Sequence, residues 1–390
     1  MKGIKLSMKQ KIIQFVCSFS LSVLLLSGFS LSAFGLAEYA GTPNAKAALL
    51  MEACSGNVLY EMNADQAMSP ASVTKIMTAL IVFETIEAGK IQLSDVVTVS
   101  DHASNMGGSQ VFLKAGEEMT VDELIKCVLV SSANDAAVAL AEYIGGSEES
   151  FVKMMNNRAH ELGATNAVFY NATGLDDNEV NLMSARDVAI ISRELISHKD
   201  VFKYTTIWMD TIRNGAFGLT NTNRLIRFYK GANGLKTGST SKAGFCITAT
   251  ALRDDMQLIA VIMGSPTRDI RNSEAKSLFD FGFANFAVLN APAEYLEEIP
   301  VHSGVQNTCK VITESFNTVL DKGKLQNVEK SIEIPEALPA PVKAGQNIGT
   351  ISYRLDNEVI GTVPIRAAES IERIGFFGLF SKLFRHALLI

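Results

Sequence analysis

Short apolar runs bounded by turn residues lie near both ends of the segment 45–290. The runs 47–51 and 58–60 are separated by a polar turn around Gly56, and this arrangement predicts a β-hairpin. The longer runs 243–252 and 257–264 are separated by a charged turn and predict a second hairpin. Both hairpins favour antiparallel pairing, because a short turn joins antiparallel neighbours.

Between and after the hairpins, apolar residues recur at helical spacing. The pattern predicts helices after Pro70, from about Val121 into Ser132, over 134–143, from Ser184 onward, and over 273–288. Strands at both ends with helices between them predict an α/β unit of the α+β kind, in which helices flank an antiparallel sheet. We expect this unit to cover residues 38–292.

Residues 293–366 have a different pattern, in which short strand-like pieces are interrupted by prolines. The pieces are 300–302, 309–313, 318–320 and 359–365, and the prolines are Pro335, Pro339 and Pro341. Proline is depleted from strand interiors because it has no N–H to donate, so these residues separate the pieces. The segment therefore predicts a small β-rich domain.

The N-terminus has the pattern of a secretory signal. Four lysines precede residue 12, an apolar stretch continues to about Leu36, and Gly35-Leu36-Ala37 has small residues where a signal peptidase cleaves. We expect a signal peptide over 1–37 and a secreted protein. An uncleaved membrane helix is the alternative, because the apolar stretch is long for a signal. Both interpretations locate the rest of the chain outside the cytoplasm.

The C-terminal segment 367–390 has a helical apolar face. That face contains Phe376, Leu379, Phe380, Leu383, Ala387 and Ile390. Lys382 and Arg385 interrupt the apolar run, and a membrane span needs about 20 mostly apolar residues. We expect an amphipathic helix that lies on the membrane surface and holds the protein on the outer face of the cytoplasmic membrane. The alternative is a helix docked on the protein's own core.

Composition narrows the function classes. The 390 residues are 47% hydrophobic and 19% charged, which argues against disorder, and a net charge of −6 gives no indication of nucleic-acid binding. The five histidines are far apart and no Cys-x-x-Cys is present, so we expect no metal and no cofactor. The four cysteines after the signal, Cys54, Cys127, Cys246 and Cys309, are scattered in apolar surroundings and predict buried free thiols.

The first of three short motifs, Ser72-Val73-Thr74-Lys75, supplies a nucleophile and a base. A serine hydroxyl is a poor nucleophile unless a base takes its proton. Side chains three apart on a helix are neighbours, so the Lys75 amine lies beside the Ser72 hydroxyl. The amine is a base only when it is neutral, and burial and a nearby cation both lower the pKa of a lysine. Lys236 is our candidate for that cation.

The second motif, Ser132-Ala133-Asn134, adds a hydroxyl and an amide. Ser132 is suited to relay a proton to the leaving group, and Asn134 to hold Lys75 or a substrate amide. Ser-x-x-Lys and Ser-x-Asn each recur elsewhere in the chain, where a capping or surface serine is the simpler interpretation. The motif positions stand out by their order and their apolar helical context.

The third motif, Lys236-Thr237-Gly238, precedes a β-run and supplies a cation, a hydroxyl and a residue without a side chain. Lys236 and Thr237 suit recognition of a terminal carboxylate, and Gly238 leaves room for a substrate that lies along a strand. The backbone N–H groups of Ser72 and of the region near Ser239 are candidates to stabilise a tetrahedral oxyanion.

The order of the three motifs resembles that of penicillin-binding proteins and serine β-lactamases. Their flanks, together with 112–116, 171–175 and 184–187, resemble the low-molecular-mass D-alanyl-D-alanine carboxypeptidases over nearly the whole chain. The resemblance implies a transpeptidase-like catalytic domain that removes the terminal D-alanine from peptidoglycan pentapeptide stems. It also implies covalent inhibition by β-lactams.

The resemblance further implies a role for each motif residue. Ser72 would form the acyl-enzyme, Lys75 would accept its proton, and Ser132 and Asn134 would complete the catalytic centre. The substrate-binding residues would be Lys236, Thr237, Gly238, Ser239 and Arg271. Ser239 departs from the histidine that many relatives have there, which puts kinetics and pH dependence in doubt but not the reaction.

Three alternatives stay open. A class A β-lactamase would need a Glu-x-x-x-Asn between Ser132 and Lys236, and Glu161 with Asn166 misses that spacing by one residue. A transpeptidase would use the same centre with an amine acceptor in place of water. A non-catalytic penicillin-binding scaffold would share the fold, although the intact motifs disfavour it.

Overall fold

A computed structural model of the chain describes residues 37–175 and 179–387. The predicted signal peptide, apart from Ala37, lies outside the described residues. Within them the strands are β1 (Ala47–Glu52), β2 (Val58–Met62), β3 (Val96–Thr98), β4 (Glu118–Thr120), β5 (Met209–Ile212), β6 (Phe217–Thr220), β7 (Ala232–Thr240), β8 (Gly244–Arg253), β9 (Met256–Ser265), β10 (Phe286–Ala291), β11 (Ile299–His302), β12 (Thr308–Cys309), β13 (Val311–Thr313), β14 (Phe316–Asp321), β15 (Glu329–Glu333), β16 (Leu338–Pro339), β17 (Asn347–Leu355) and β18 (Glu358–Ala367).

The helices of the same residues follow in chain order. They are α1 (Lys75–Glu87), α2 (Asp101–Ser104), α3 (Val121–Val130), α4 (Asn134–Gly145), α5 (Glu148–Glu161), α6 (Ala185–Leu195), α7 (Phe202–Thr205), α8 (Leu225–Phe228), α9 (Arg268–Asn285) and α10 (Phe376–Ala387). Short 3₁₀ turns cover Ala71–Thr74, Lys199–Val201 and Lys322–Asn327.

The main sheet has five antiparallel strands in the order β2-β1-β9-β8-β7, so both predicted hairpins are confirmed. β1 joins them by pairing with β9, with Leu49 opposite Val261. Leu49 and Leu50 are both fully buried. Because consecutive strand residues point to opposite faces, both faces of the sheet are covered. Helices α6 and α9 pack on β9 and supply that cover.

The helical half of the domain surrounds α1. This helix is buried from Lys75 to Phe83 and packs against α3 to α6. Local signals define its neighbours: Thr120 and Glu123 form a capping box at α3, Ser184 and Asp187 form one at α6, and left-handed Gly146 ends α4. The predicted helices therefore exist, although the one after Pro70 begins as a 3₁₀ turn.

The helix predicted over 273–288 is displaced. α9 begins earlier, at Arg268, where the Thr267 side chain accepts a hydrogen bond from the N–H of Ile270. Residues 286–288 belong to β10, which pairs with β14 along its whole length. Pairing with a strand thirty residues further on overrides local helical spacing, which explains the error.

The small β-rich part contains the four predicted strand regions and three strands that the sequence pattern did not indicate, β15, β16 and β17, of which β16 includes Pro339. β15 is fully exposed and has no apolar alternation, and β17 is interrupted by Gly349. β17 and β18 form a hairpin at Asp356-Asn357, both with positive φ, as in a type I′ turn. Their inner faces build a separate core.

The C-terminal helix α10 exposes its large apolar side chains. Phe376 is 79% exposed and Phe377 is 86% exposed, and Leu379, Phe380 and Phe384 are exposed as well. The alternative of a helix docked on the protein's own core therefore fails for these residues. Among the described helices, none is long and apolar enough to cross a bilayer.

Candidate active site

Ser72 lies on the 3₁₀ turn that precedes α1, and Lys75 is the first residue of that helix. In a 3₁₀ turn, side chains three apart eclipse each other. The Lys75 Nζ atom accordingly lies 3.1 Å from the Ser72 Oγ atom. Ala71, just before the serine, has a left-handed backbone (φ 49°), which is uncommon for a residue with a side chain.

Lys75 is fully buried. Besides Ser72, its Nζ atom contacts Asn134 Oδ1 at 2.6 Å and the carbonyl oxygen of Thr173 at 2.7 Å. Burial, together with the charge of Lys236, lowers the pKa of Lys75 well below its ordinary value, while Asp135 opposes the shift. The amine is therefore poised to be neutral beside the serine hydroxyl.

Ser132 and Asn134 lie at the junction of α3 and α4. Ser132 has a left-handed backbone (φ 64°), a conformation that persists in non-glycine residues only where the surroundings enforce it. Its Oγ atom accepts a hydrogen bond from Lys236 Nζ at 2.8 Å. The Asn134 Nδ2 atom donates to the carbonyl oxygen of Gly107, so the amide joins Lys75 to the 107–109 loop.

Lys236 projects from β7, the edge strand of the main sheet, and is 1% exposed. Its ammonium also donates to the carbonyl oxygen of Thr237 at 2.7 Å. Burial and the charge of Arg271 lower the pKa of Lys236 to about 7. The third motif thus lies over the first, as the sequence hypothesis required, and brings two buried lysines to one site.

Gly238 is the point where β7 meets the nucleophile turn. A Cβ atom on it would lie 2.8 Å from Pro70 O, Ser72 N and Val73 N. These are backbone atoms that cannot rotate away. The sequence predicts that this glycine leaves room for a substrate, whereas the contact that excludes a side chain is with the turn that carries Ser72.

Arg271 lies in the first turns of α9 and is 3% exposed. Its Nη1 atom donates to the carbonyl oxygen of Cys246 at 3.2 Å, and its Nε and Nη2 atoms donate to Asn272 Oδ1. Burial and the neighbouring Arg268 lower the pKa of Arg271 to about 10. These hydrogen bonds hold the guanidinium in place near Lys236, whose pKa its charge lowers.

A cavity of about 580 Å³ opens in front of these groups. Its lining includes Ser72, Ser132, Thr237, Gly238, Ser239 and Arg271. The Thr237 Oγ1 atom donates to Thr222 Oγ1 at 2.8 Å, and Ser239 is exposed at the mouth. A larger cavity of about 1,050 Å³, lined by Cys54 and Arg193 among others, contains none of the motif residues. The motif residues, and not the volume, identify the cavity of about 580 Å³ as the candidate active site.

Several residues that support the site have no clear signal in the sequence. Asp135 is fully buried and accepts hydrogen bonds from the backbone N–H groups of Val111 and Leu113, which fixes the adjacent loop. A Cβ atom on Gly174, which has φ +76°, would lie 1.9 Å from Ala71 O. The 171–175 segment thus packs directly behind the nucleophile turn. Its only sequence signal was its resemblance to a family motif.

The described residues contain one group of side chains with the spacing of a metal site, Glu84, Glu194 and His198. Arg158 donates to Oε1 of both glutamates at 2.7 Å, so a guanidinium already pairs with both carboxylates. None of the motif residues belongs to this group. The expectation of no metal and no cofactor stays a prediction.

Residues 36–267 match the D-alanyl-D-alanine carboxypeptidase family, and residues 283–373 match the penicillin-binding protein 5 C-terminal domain. The D-alanyl-D-alanine carboxypeptidase DacF of Bacillus subtilis is 42% identical over 85% of this chain and 87% of its own.

Two solved structures of penicillin-binding proteins are similar to this chain. Penicillin-binding protein 5 from Haemophilus influenzae has a TM-score of 0.76 at 33% identity and covers 86% of this chain and 100% of its own. Penicillin-binding protein D2 from Listeria monocytogenes, in its ampicillin-bound form, has a TM-score of 0.57 at 31% identity and covers 62% of this chain and 98% of its own.

Proposed function

Because the chain belongs to the D-alanyl-D-alanine carboxypeptidase family, and is thus a serine-type hydrolase with a penicillin-binding fold, we propose that Ser72 forms its acyl-enzyme during removal of the terminal D-alanine from peptidoglycan pentapeptide stems. The observation that carries the proposal is the 3.1 Å contact between Lys75 Nζ and Ser72 Oγ. Burial of the amine supplies the reason that this contact activates the serine.

Acylation begins with proton transfer from Ser72 to Lys75. A neutral amine has two N–H bonds and one lone pair. Asn134 Oδ1 and the Thr173 carbonyl accept from the two N–H bonds, which leaves the lone pair for the Ser72 hydroxyl. Ser72 then attacks the carbonyl carbon of the penultimate D-alanine. Its own N–H, in the first turn of a helix where N–H groups have no intrahelical acceptor, supports the oxyanion.

The leaving D-alanine needs a proton and an anchor for its carboxylate. Ser132 lies in contact with Lys236 and faces the same cavity as Ser72, so it is suited to pass the proton from Lys75 to the departing nitrogen. Thr237 and Arg271 line the cavity next to Lys236 and suit the carboxylate. Ser239 and Gly238 complete this edge, with Gly238 keeping β7 close to the nucleophile.

Water then hydrolyses the ester to regenerate Ser72. The absence of a Glu-x-x-x-Asn between Ser132 and Lys236 disfavours a β-lactamase, which uses that glutamate to deacylate. β-Lactams acylate the same serine as covalent inhibitors. The ampicillin-bound form of the Listeria protein supports this extension.

The test uses purified protein without residues 1–37. Incubation with a peptide that ends in D-Ala-D-Ala should release D-alanine, and the Ser72→Ala variant should release none. A fluorescent penicillin should label the wild type and not the variant. Labelling of Ser72 without release of D-alanine would contradict the carboxypeptidase activity and favour a scaffold or a different acyl acceptor.

We also propose that the mature protein is exported and held on the outer face of the cytoplasmic membrane by α10. The exposed phenylalanines Phe376, Phe377 and Phe380 support this, because exposed apolar patches of this kind mark binding surfaces. Deleting 369–390 should abolish co-sedimentation with anionic phospholipid vesicles while D-alanine release persists. Equal co-sedimentation of both forms would refute the anchor, and N-terminal sequencing of secreted protein tests cleavage after Ala37.

A further inference from the structure

The cavity in front of Ser72 has more room than the departing D-alanine alone requires. Its volume of about 580 Å³ falls within the range of roughly 300–1,000 Å³ that is typical of sites for drug-sized ligands. The departing D-alanine has only a methyl side chain. Beyond Thr237 and Arg271 the cavity continues along a wall formed by α8, the start of α9 and the residue Trp208.

Two exposed arginines line this outer part, Arg224 just before α8 and Arg268 at the start of α9. Among the described residues, no acidic side chain forms a salt bridge with either one. Both arginines line the same cavity as Arg271, and burial, together with their charges, lowers the pKa of Arg271. In a chain of net charge −6, such clustering of cations indicates an anion site.

Asp269 is the acidic residue nearest in sequence to these arginines, and it does not line the cavity in front of Ser72. Asp269 lines a neighbouring cavity of about 360 Å³, separated from the first by Arg224 and Phe228, which line both. The outer cavity therefore presents guanidinium groups to an incoming ligand without a carboxylate of its own in its lining. An anionic ligand group would provide the missing counter-charge.

Aromatic side chains form the adjacent wall. The Trp208 and Phe228 rings meet edge to face with centroids 6.0 Å apart, and Arg227 stacks on both from outside at 5.6 and 5.9 Å. Stacking of this kind holds the rings in place. The wall thus offers an apolar surface to a methylene chain that leads toward the arginines.

We propose that the site also accepts D-alanyl-D-amino acid termini whose last residue has a second carboxylate, as in D-glutamate, and that Arg224 and Arg268 bind this side-chain carboxylate. The inference rests on the proposed function of Ser72. In the reaction the Ser72 Oγ atom bonds to the D-alanine carbonyl carbon and the amide C–N bond breaks. The departing nitrogen takes the proton that Lys75 received from Ser72, and water later hydrolyses the ester.

The experiment compares acylated tripeptides that end in D-Ala-D-Glu and in its neutral isostere D-Ala-D-Gln, with D-Ala-D-Ala alongside. The wild type should have a kcat/KM for D-Glu about two- to fivefold above that for D-Gln, the gain expected from an exposed ion pair. The ratio should approach one in the Arg224→Gln, Arg268→Gln double variant and lie between these values in each single variant. High salt should also lower the wild-type ratio, because salt screens the ion pair.

Lys230→Gln is the matched control, because Lys230 is an exposed cation shortly after α8 that does not line the cavity. It should keep the wild-type ratio. A wild-type ratio near one, or a ratio that survives the double substitution in folded protein, would overturn the proposal. Labelling of Ser72 by a fluorescent penicillin confirms that each variant is folded.

Failure of the proposed function gives a different result. If no peptide is cleaved, including D-Ala-D-Ala, the carboxypeptidase activity fails while the subsite can still be measured. The Ser72→Ala variant should then bind the D-Glu peptide about two- to fivefold more tightly than the D-Gln peptide by calorimetry. Equal affinities would overturn the subsite by themselves.

Discussion

Replacing Gly238 by alanine is the sharpest perturbation that the site offers. The added Cβ atom would lie 2.8 Å from three backbone atoms of the turn that carries Ser72, whereas ordinary contacts begin at 3.4 Å, a shortfall of 0.6 Å. Neither backbone can rotate out of the way, so β7 and the turn must separate. Overpacking of this kind costs roughly 1–3 kcal/mol of folding free energy.

The separation should affect catalysis more than stability. Lys236 and Thr237 lie on the strand that must move, and Ser72 lies on the turn that it moves away from. A misplacement of about 1 Å can cost about a hundredfold in rate, so a shift of roughly half that size should lower acylation about tenfold or more. The melting temperature should fall as well, by roughly 2–4 °C per kcal/mol.

The assay is the second-order rate of labelling by a fluorescent penicillin, with thermal unfolding followed by circular dichroism. Gly218→Ala is the matched control, because Gly218 lies on strand β6 and a Cβ atom there meets nothing within 4 Å. It should change neither quantity appreciably. An acylation rate for Gly238→Ala within twofold of the wild type would refute the close-contact argument, even if the protein were destabilised.

The remaining predictions concern ionisation and thiols. Lys236→Gln removes a charge that lowers the pKa of Lys75, so the pKa of Lys75 should rise and the acid limb of the penicillin-acylation pH profile should move to higher pH. An unmoved acid limb would mean that burial alone lowers the pKa of Lys75. Lys75→Met should lower acylation about 10²–10⁴-fold, the usual contribution of a general base, with labelling kinetics as the measure and near-normal labelling as the contrary result. In native protein without residues 1–37, a thiol reagent should modify Cys54 only, because the other three cysteines are buried and burial raises the pKa of Cys127 to about 12. Mass spectrometry would identify modification of Cys127, Cys246 or Cys309, which would contradict this prediction.

The thiol prediction corrects the sequence analysis. Apolar neighbours predicted that all four cysteines of the mature chain would be buried, and for three of them this is confirmed. Cys54 lies two residues after the end of β1, in the turn that joins β1 to β2, and its side chain is exposed. Local hydrophobicity does not distinguish the last residues of a buried strand from the turn that follows it.

The sequence by itself determined the elements and the chemistry that they carry. Apolar periodicity and capping residues such as Thr120 and Ser184 act within a few residues of chain, so hairpins and helices followed from local pattern. The motif order predicted the nucleophile and its base, because a three-residue spacing brings Ser72 and Lys75 together in any helical turn.

Only the tertiary structure decided how the parts act on one another. The pKa of Lys75 depends on complete burial and on Lys236, which is 161 positions away in the sequence. The reason for glycine at 238 is a backbone contact across the site, and the cavity joins Arg224, beside a short helix that the sequence pattern did not indicate, to Arg268 and Arg271 on α9. Coulomb forces and packing act through space, so no local pattern records them.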